Sequence, residues 1–140
     1  MRSPTLAKKI AGLALTRKAS DVVIMDLRKL TAMTDYFVIC SADSDVQVKA
    51  VADAVQEGLE EKALAPWHTE GGSANWILLD YVDVVLHVFH KNTRAYYNFE
   101  KLWGDAEIDR VSDEPARMRK HSVRSTRTKR KSTSRKSVVS

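Results

Sequence analysis

The sequence holds a single cysteine, no apolar run near the length of a membrane span, and no acidic residue after Glu114. Each scarcity excludes something. Cys40 cannot form an internal disulfide, and it lies in the apolar run YFVIC. A buried, reduced thiol in a cytoplasmic protein is the expectation. A nucleophilic role would need a basic partner, which its neighbours do not supply. A membrane helix takes about 20 apolar residues, so the chain is not expected to cross a bilayer. The N-terminal MRSPTLAKKIAGLALTRK is basic and partly apolar, as targeting peptides are. Its Leu6, Ala7, Ile10, Leu13 and Ala14 nevertheless follow helical spacing, and Lys8 and Lys9 interrupt any signal-type segment. A structural helix is expected there.

The lack of acid at the C-terminal end splits the chain electrostatically. Ten of the 23 Lys and Arg residues follow Glu114, leaving 13 bases against 18 acids upstream. The net charge of +5 therefore belongs to the tail, while the rest of the chain is acidic. Residues 110–140, rich in Ser, Thr, Arg and Lys, have too few apolar groups to offset the entropy of ordering and are expected to be disordered. Residues 1–109 leave room for one domain with a real core.

What is present upstream is a succession of short periodic segments. Ser3 and Pro4 suit the N-cap and first turn of a helix running to about Lys18. DVVIMDL and DYFVICS read as strands. Ser44 looks like the cap of a second helix, with Val48, Val51, Ala52, Val55 and Leu59 on its apolar stripe. WHTEG, between Pro66 and the Gly71–Gly72 pair, reads as a short strand. WILLDYVDVVLHVF reads as a hairpin. With Tyr81 and Val82 as the loop, Asp80 is expected opposite Asp83, Leu78 opposite Val85 and Trp76 opposite His87. Ile77, Leu79, Val84, Leu86 and Val88 form its core face. Trp76, Leu78, Asp80, Asp83, Val85, His87 and Phe89 form a mixed face that suits contact with another protein. Thr93 is expected to cap a last helix, RAYYNFEKLWGDA, ending near Gly104. The order α-β-β-α-β-β-β-α predicts a single α/β domain with a mixed sheet and flanking helices.

Catalytic constellations are missing as well. Asp80 and Asp83 are not at the i, i+2 strand spacing that holds a divalent metal. They read as turn caps, with a partner contact or without one, or else as a metal or catalytic pair. Like charges at a turn need compensation. His68, His87 and His90 have no ligand-like spacing with Cys40. EGGS lacks the lysine of a phosphate loop, and SADSD already places Asp43 and Asp45 where a helix start would bind an anion. No nucleophile–base–acid set can be assembled, so no enzyme, cofactor or small-molecule substrate is expected.

TDYFVICSADSDVQVKAVADAV, the EG before a strand, WILLDYVDVVLHVF and TRAYYNFEKLW, in this order and spacing, resemble the ribosomal silencing factor (Iojap-like) family over about Leu6 to Ala106. The resemblance implies a nucleotidyltransferase-like fold without catalysis, usually a homodimer. It implies binding to the large ribosomal subunit through ribosomal protein uL14, which blocks subunit joining and represses translation. Carried onto this sequence, the implied partner-binding residues are Trp76, Asp80, Tyr81, Asp83, His87, Arg94 and Tyr97. Two departures stand out: Val82, and Ala42, where the family usually or often has glycine. The basic tail lies outside the shared pattern; ribosomal RNA is its expected contact, and a solubilising extension with no partner is the alternative. Two other readings compete: a nucleotidyltransferase-like protein retaining nucleotide binding, and an RNA-binding adaptor working through the tail.

Overall fold

The computed structural model describes residues 1–71 and 75–111. The basic tail from residue 112 and part of EGGS therefore lie outside the described residues.

Pro4 sits in the first turn of α1 (Ser3–Leu15), where its missing N–H costs nothing. Leu6, Ala7, Ile10, Ala11 and Ala14 form its buried stripe. Ser3 is not the cap, as the sequence suggested. Arg2 occupies that position, and the Ser3 hydroxyl donates to Asp35 Oδ2 at 2.8 Å. The helix also stops short of Lys18, which takes a left-handed φ of 63°.

Two strands follow, β1 (Ser20–Asp26) and β2 (Tyr36–Ala42), then α2 (Asp45–Glu60). Ser44 caps α2 as expected, its hydroxyl accepting from Gln47 N–H at 3.1 Å. Next come β3 (His68–Glu70), β4 (Trp76–Asp80) and β5 (Val84–His90). Gly71, between β3 and β4, is needed as glycine. Its φ is 119°, and a Cβ there would meet the Trp76 carbonyl oxygen at 2.5 Å.

The last helix is two helices, α3 (Lys91–Tyr97) and α4 (Phe99–Leu102), broken at Asn98 with φ 49°. Its cap is His90, whose Nδ1 accepts from Asn92 N–H, and not Thr93, which lies inside the helix. A strand absent from the sequence reading, β6 (Glu107–Val111), closes the described chain and spans the expected 109/110 boundary.

The sheet order is β3-β4-β5-β2-β1-β6. β2 and β5 run parallel; the other pairs are antiparallel. This is the mixed α/β architecture expected from the sequence.

Strand alternation sends side chains to two cores. On one face α1 and α2 cover Val22, Ile24, Val38, Cys40, Val84, Leu86 and Val88. On the other, Val23, Met25, Leu27, Ile39 and Phe89 pack under Phe99 and Trp103 from the α4 region. The mixed hairpin face is thus largely a second core and not the open contact surface expected. Cys40 is fully enclosed, and burial pushes its thiol up to about 12.

The hairpin register differs by two residues from the expected one. Asp80 lies opposite Val85, Leu78 opposite His87, and Trp76 opposite Phe89. Asp83 cannot pair with Asp80 because its carbonyl accepts from Asp35 and Tyr36 N–H groups at 2.9 and 3.1 Å, and its N–H donates to Tyr81 O. Val82 sits in that three-residue turn at φ 74°, a conformation that costs a β-branched residue about 1–2 kcal/mol. Ala42 is buried in β2 without a positive φ, so a side chain is tolerated there.

Candidate partner-binding surfaces

The seven expected partner-binding residues fall in three places. Asp80 and Asp83 occupy the hairpin tip. Asp80 Oδ1 accepts from Val82 N–H at 2.8 Å, so this carboxylate caps the strained turn while remaining partly exposed. The Asp83 side chain is exposed and has no hydrogen-bond partner among the described residues. Trp67, 77% exposed, is drawn beside them because its N–H donates to Asp80 O at 2.7 Å. Val82 is exposed at the apex. Two carboxylates flanked by exposed apolar groups form a surface complementary to a basic, partly apolar partner.

Tyr81, His87 and Arg94 are buried and belong to the fold's interior, out of direct reach of a partner. Tyr81 packs into the core under α1 and α2. Its hydroxyl has no hydrogen-bond partner, and burial, with the nearby Glu60 charge, pushes it up to about 12. His87 is 4% exposed. Phe37 and Phe99 meet its ring edge-on at 4.7 and 5.0 Å. Its Nδ1 accepts from the Trp76 indole at 3.2 Å, its Nε2 has no partner, and burial lowers its pKa to about 3.

Arg94 is 8% exposed. Its Nη1 donates to Asp21 O and to Ser41 Oγ, the latter at 2.9 Å, and its Nη2 to Glu100 Oε2 at 2.8 Å. One guanidinium therefore joins β1, β2, α3 and α4. Burial pushes the Glu100 carboxyl up, but the hydrogen bond and charge of Arg94 outweigh it and leave the group below its ordinary value.

Trp76 and Tyr97 lie at the opposite end of β4 from the tip. Trp76 is half-buried against Phe89 and Tyr97, both at 4.9 Å between ring centres. Four residue steps lead from Trp76 to Asp80 along the strand, or roughly 13 Å. Because Tyr81, His87 and Arg94 are buried, no surface patch contains all seven.

Sequence reasoning passed over Trp67 as a surface residue, and it did not single out Tyr96, whose ring is 83% exposed. The signal for Trp67 was available: a large aromatic next to Pro66, outside any periodic stripe. Among the described residues, no group of three His, Cys, Asp or Glu side chains is placed to hold a metal ion, and no helix is long and apolar enough to cross a membrane.

Fold and surfaces together define a mixed-sheet α/β domain with an acidic hairpin tip at one end of β4 and an aromatic cluster at the other. The family model described as "Ribosomal silencing factor during starvation" matches residues 1–137. The chain belongs to this ribosomal silencing factor (RsfS) family. The match extends past Leu6 to Ala106, where the resemblance was drawn, into the basic segment. Ribosomal silencing factor RsfS of Bacillus subtilis is 39% identical over 109 residues, covering 77% of this chain and 92% of its own length. That of Halalkalibacterium halodurans is 44% identical over 91 residues, covering 64% and 78%. A crystal structure from Chromobacterium violaceum superposes with a TM-score of 0.72 at 32% identity, covering 83% of this chain and 92% of that one.

Proposed function

We propose that this chain is a cytoplasmic translational repressor that binds ribosomal protein uL14 on the large subunit and blocks joining of the small subunit, without catalysis. The family relation supports the ribosomal setting. The observation that carries the docking mode is the hairpin tip, where Asp83 offers an exposed carboxylate, Asp80 a second, and Trp67 and Val82 an apolar rim. A basic ribosomal protein is the natural complement to such a surface. Two further elements complete the proposal. The folded unit reaches at least Val111 and acts as a homodimer; the basic segment after it contacts ribosomal RNA.

Sedimentation tests this directly. Large subunits preincubated with the protein should fail to form complete ribosomes when small subunits are added. Asp80→Asn with Asp83→Asn should relieve the block, because asparagine still accepts from Val82 N–H but removes the charge. The relief should be larger at low salt, where screening is least. Full blocking by the double variant would sink the tip as the docking site. Relief by a chelator acting on the unaltered protein would replace charge with metal.

A further inference from the structure

The first 20 residues hold five cations, Arg2, Lys8, Lys9, Arg17 and Lys18, and no acid. All five are exposed, on α1 or at its ends. Among the described residues none of them forms an ion pair. At about 100° per residue, the buried stripe of α1 lies opposite a crest of small exposed residues, Thr5, Gly12 and Thr16. The same geometry puts Lys8 on one side of the crest and Lys9 on the other.

Gly12 is the unexpected member of that crest. Glycine inside a helix carries a backbone-entropy cost that alanine would not. Yet a Cβ at this position would meet nothing within 4 Å, so no neighbour among the described residues requires glycine. Helical side chains lean towards the N-terminus, and one at position 12 would lie over the turn that carries Lys8 and Lys9. Without it, a strip of helix between the two lysine stems is left bare.

Acid bounds the strip on both flanks. Asp26, Glu107 and Asp109 share with Lys8 a cleft of about 280 Å³ between α1 and β6. On the other side of α1 packs α2, which exposes Glu57 and Glu60. The cations are thus confined to a track one helix wide and roughly 20 Å long.

We propose that this crest seats the phosphate backbone of RNA. Lys8 and Lys9 clasp a phosphate over Gly12, while Arg2, Arg17 and Lys18 meet its neighbours along the strand. Ammonium groups hold phosphates as point charges, and the bare helix lets the backbone come close. The crest carries no ring or amide to read a base, so the contact has no sequence preference. A bilayer suits it less, because the apolar stripe of α1 is already buried and leaves nothing to insert. An acidic protein can match the charge, but carboxylates on flexible stems do not need a bare helix to reach two lysines. RNA as the polyanion rests on the ribosomal setting of the proposed function. The crest itself needs neither the hairpin tip nor uL14, and none of the seven expected partner-binding residues lies on α1.

The test is fluorescence anisotropy on the full chain with a labelled RNA duplex of about sixteen base pairs, at several salt concentrations. Thermal unfolding of each variant accompanies it. Gly12→Gln should raise the thermal midpoint, because glutamine is the better helix former and the space is open. The same variant should weaken RNA binding by about fivefold, roughly the loss of one phosphate contact. Lys8→Gln with Lys9→Gln should lower the slope of log affinity against log salt by about 2. Both variants leave every other cation in place, so the change belongs to the crest. Unchanged RNA affinity in Gly12→Gln would overturn the proposal, as would an unchanged salt slope in the lysine variant. A lowered midpoint in Gly12→Gln would also overturn it, since the domain itself would then need the glycine. Weaker binding of these variants to polyglutamate or to phosphatidylserine vesicles, with RNA binding intact, would give the face to an acidic protein or a membrane. The sedimentation assay reads subunit joining separately, so failure of the crest and failure of the repressor are told apart.

Discussion

Trp76 donates its indole N–H to His87 Nδ1 at 3.2 Å, across the β4–β5 pair. An indole can only donate, so Nδ1 accepts and the imidazole is neutral with its proton on Nε2. That N–H has no hydrogen-bond acceptor and lies among the Phe37, Phe89 and Phe99 rings. The pair makes the second core a structure that requires an uncharged histidine.

Acid should therefore unfold this domain through His87. Its folded pKa, lowered to about 3 from 6.5 by burial, means that the unfolded chain binds the proton first as pH falls. The stability it contributes is complete above about pH 6.5 and is lost progressively towards pH 3, at up to about 1.4 kcal/mol per pH unit. Urea midpoints measured between pH 7 and 4 should fall, and His87→Gln should flatten the profile. An unchanged profile in that variant would assign the acid sensitivity to other groups.

Truncating Trp76 should damage the fold as well as any contact. Its ring packs on Phe89, Tyr97 and Phe99, and its loss leaves His87 Nδ1 without a donor. Trp76→Ala is expected to cost about 3 kcal/mol and to lower the thermal midpoint visibly. Calorimetry finding a midpoint equal to the unaltered protein would return Trp76 to the role of a pure surface anchor.

Arg94 should behave as an internal clamp. Arg94→Ala removes donors from Asp21 O and Ser41 Oγ and leaves Glu100 partly buried without its cation. A loss of about 3 kcal/mol follows. Adding Glu100→Ala should recover part of it, because no unpaired charge then remains. A double-mutant cycle by chemical denaturation gives the coupling, and a coupling of zero would dissolve the pair.

Val82→Gly should stabilise. The φ of 74° costs valine strain that glycine does not have, and the gain is expected at about 1 kcal/mol after the entropy that glycine adds to the unfolded chain. Equilibrium unfolding reads it as a higher urea midpoint at constant slope. A lower midpoint would mean that the exposed valine contributes packing at the tip.

The strands, their faces and the capped α2 were legible in the sequence because they rest on local periodicity. Alternation at Ile77, Leu79, Val84, Leu86 and Val88 marks one core face in any register that differs by an even number of residues. The expected hairpin was shifted by two yet still sorted the side chains correctly. The mixed composition of the opposite face was also legible, and so were the acids at the tip. What covers that face was not. His87 and Arg94 are polar in the sequence and buried in the fold, because Phe37 and Phe99 close on the His87 ring and the Arg94 guanidinium is taken up by Asp21 O, Ser41 Oγ and Glu100. The register depended on Asp83 giving its carbonyl to β2, and β6 on β1 offering an open edge. Both are hydrogen bonds between segments distant in the chain, so local spacing carries no trace of them. Tertiary packing alone decided that the seven expected binding residues divide between an acidic tip, an interior and an aromatic cluster.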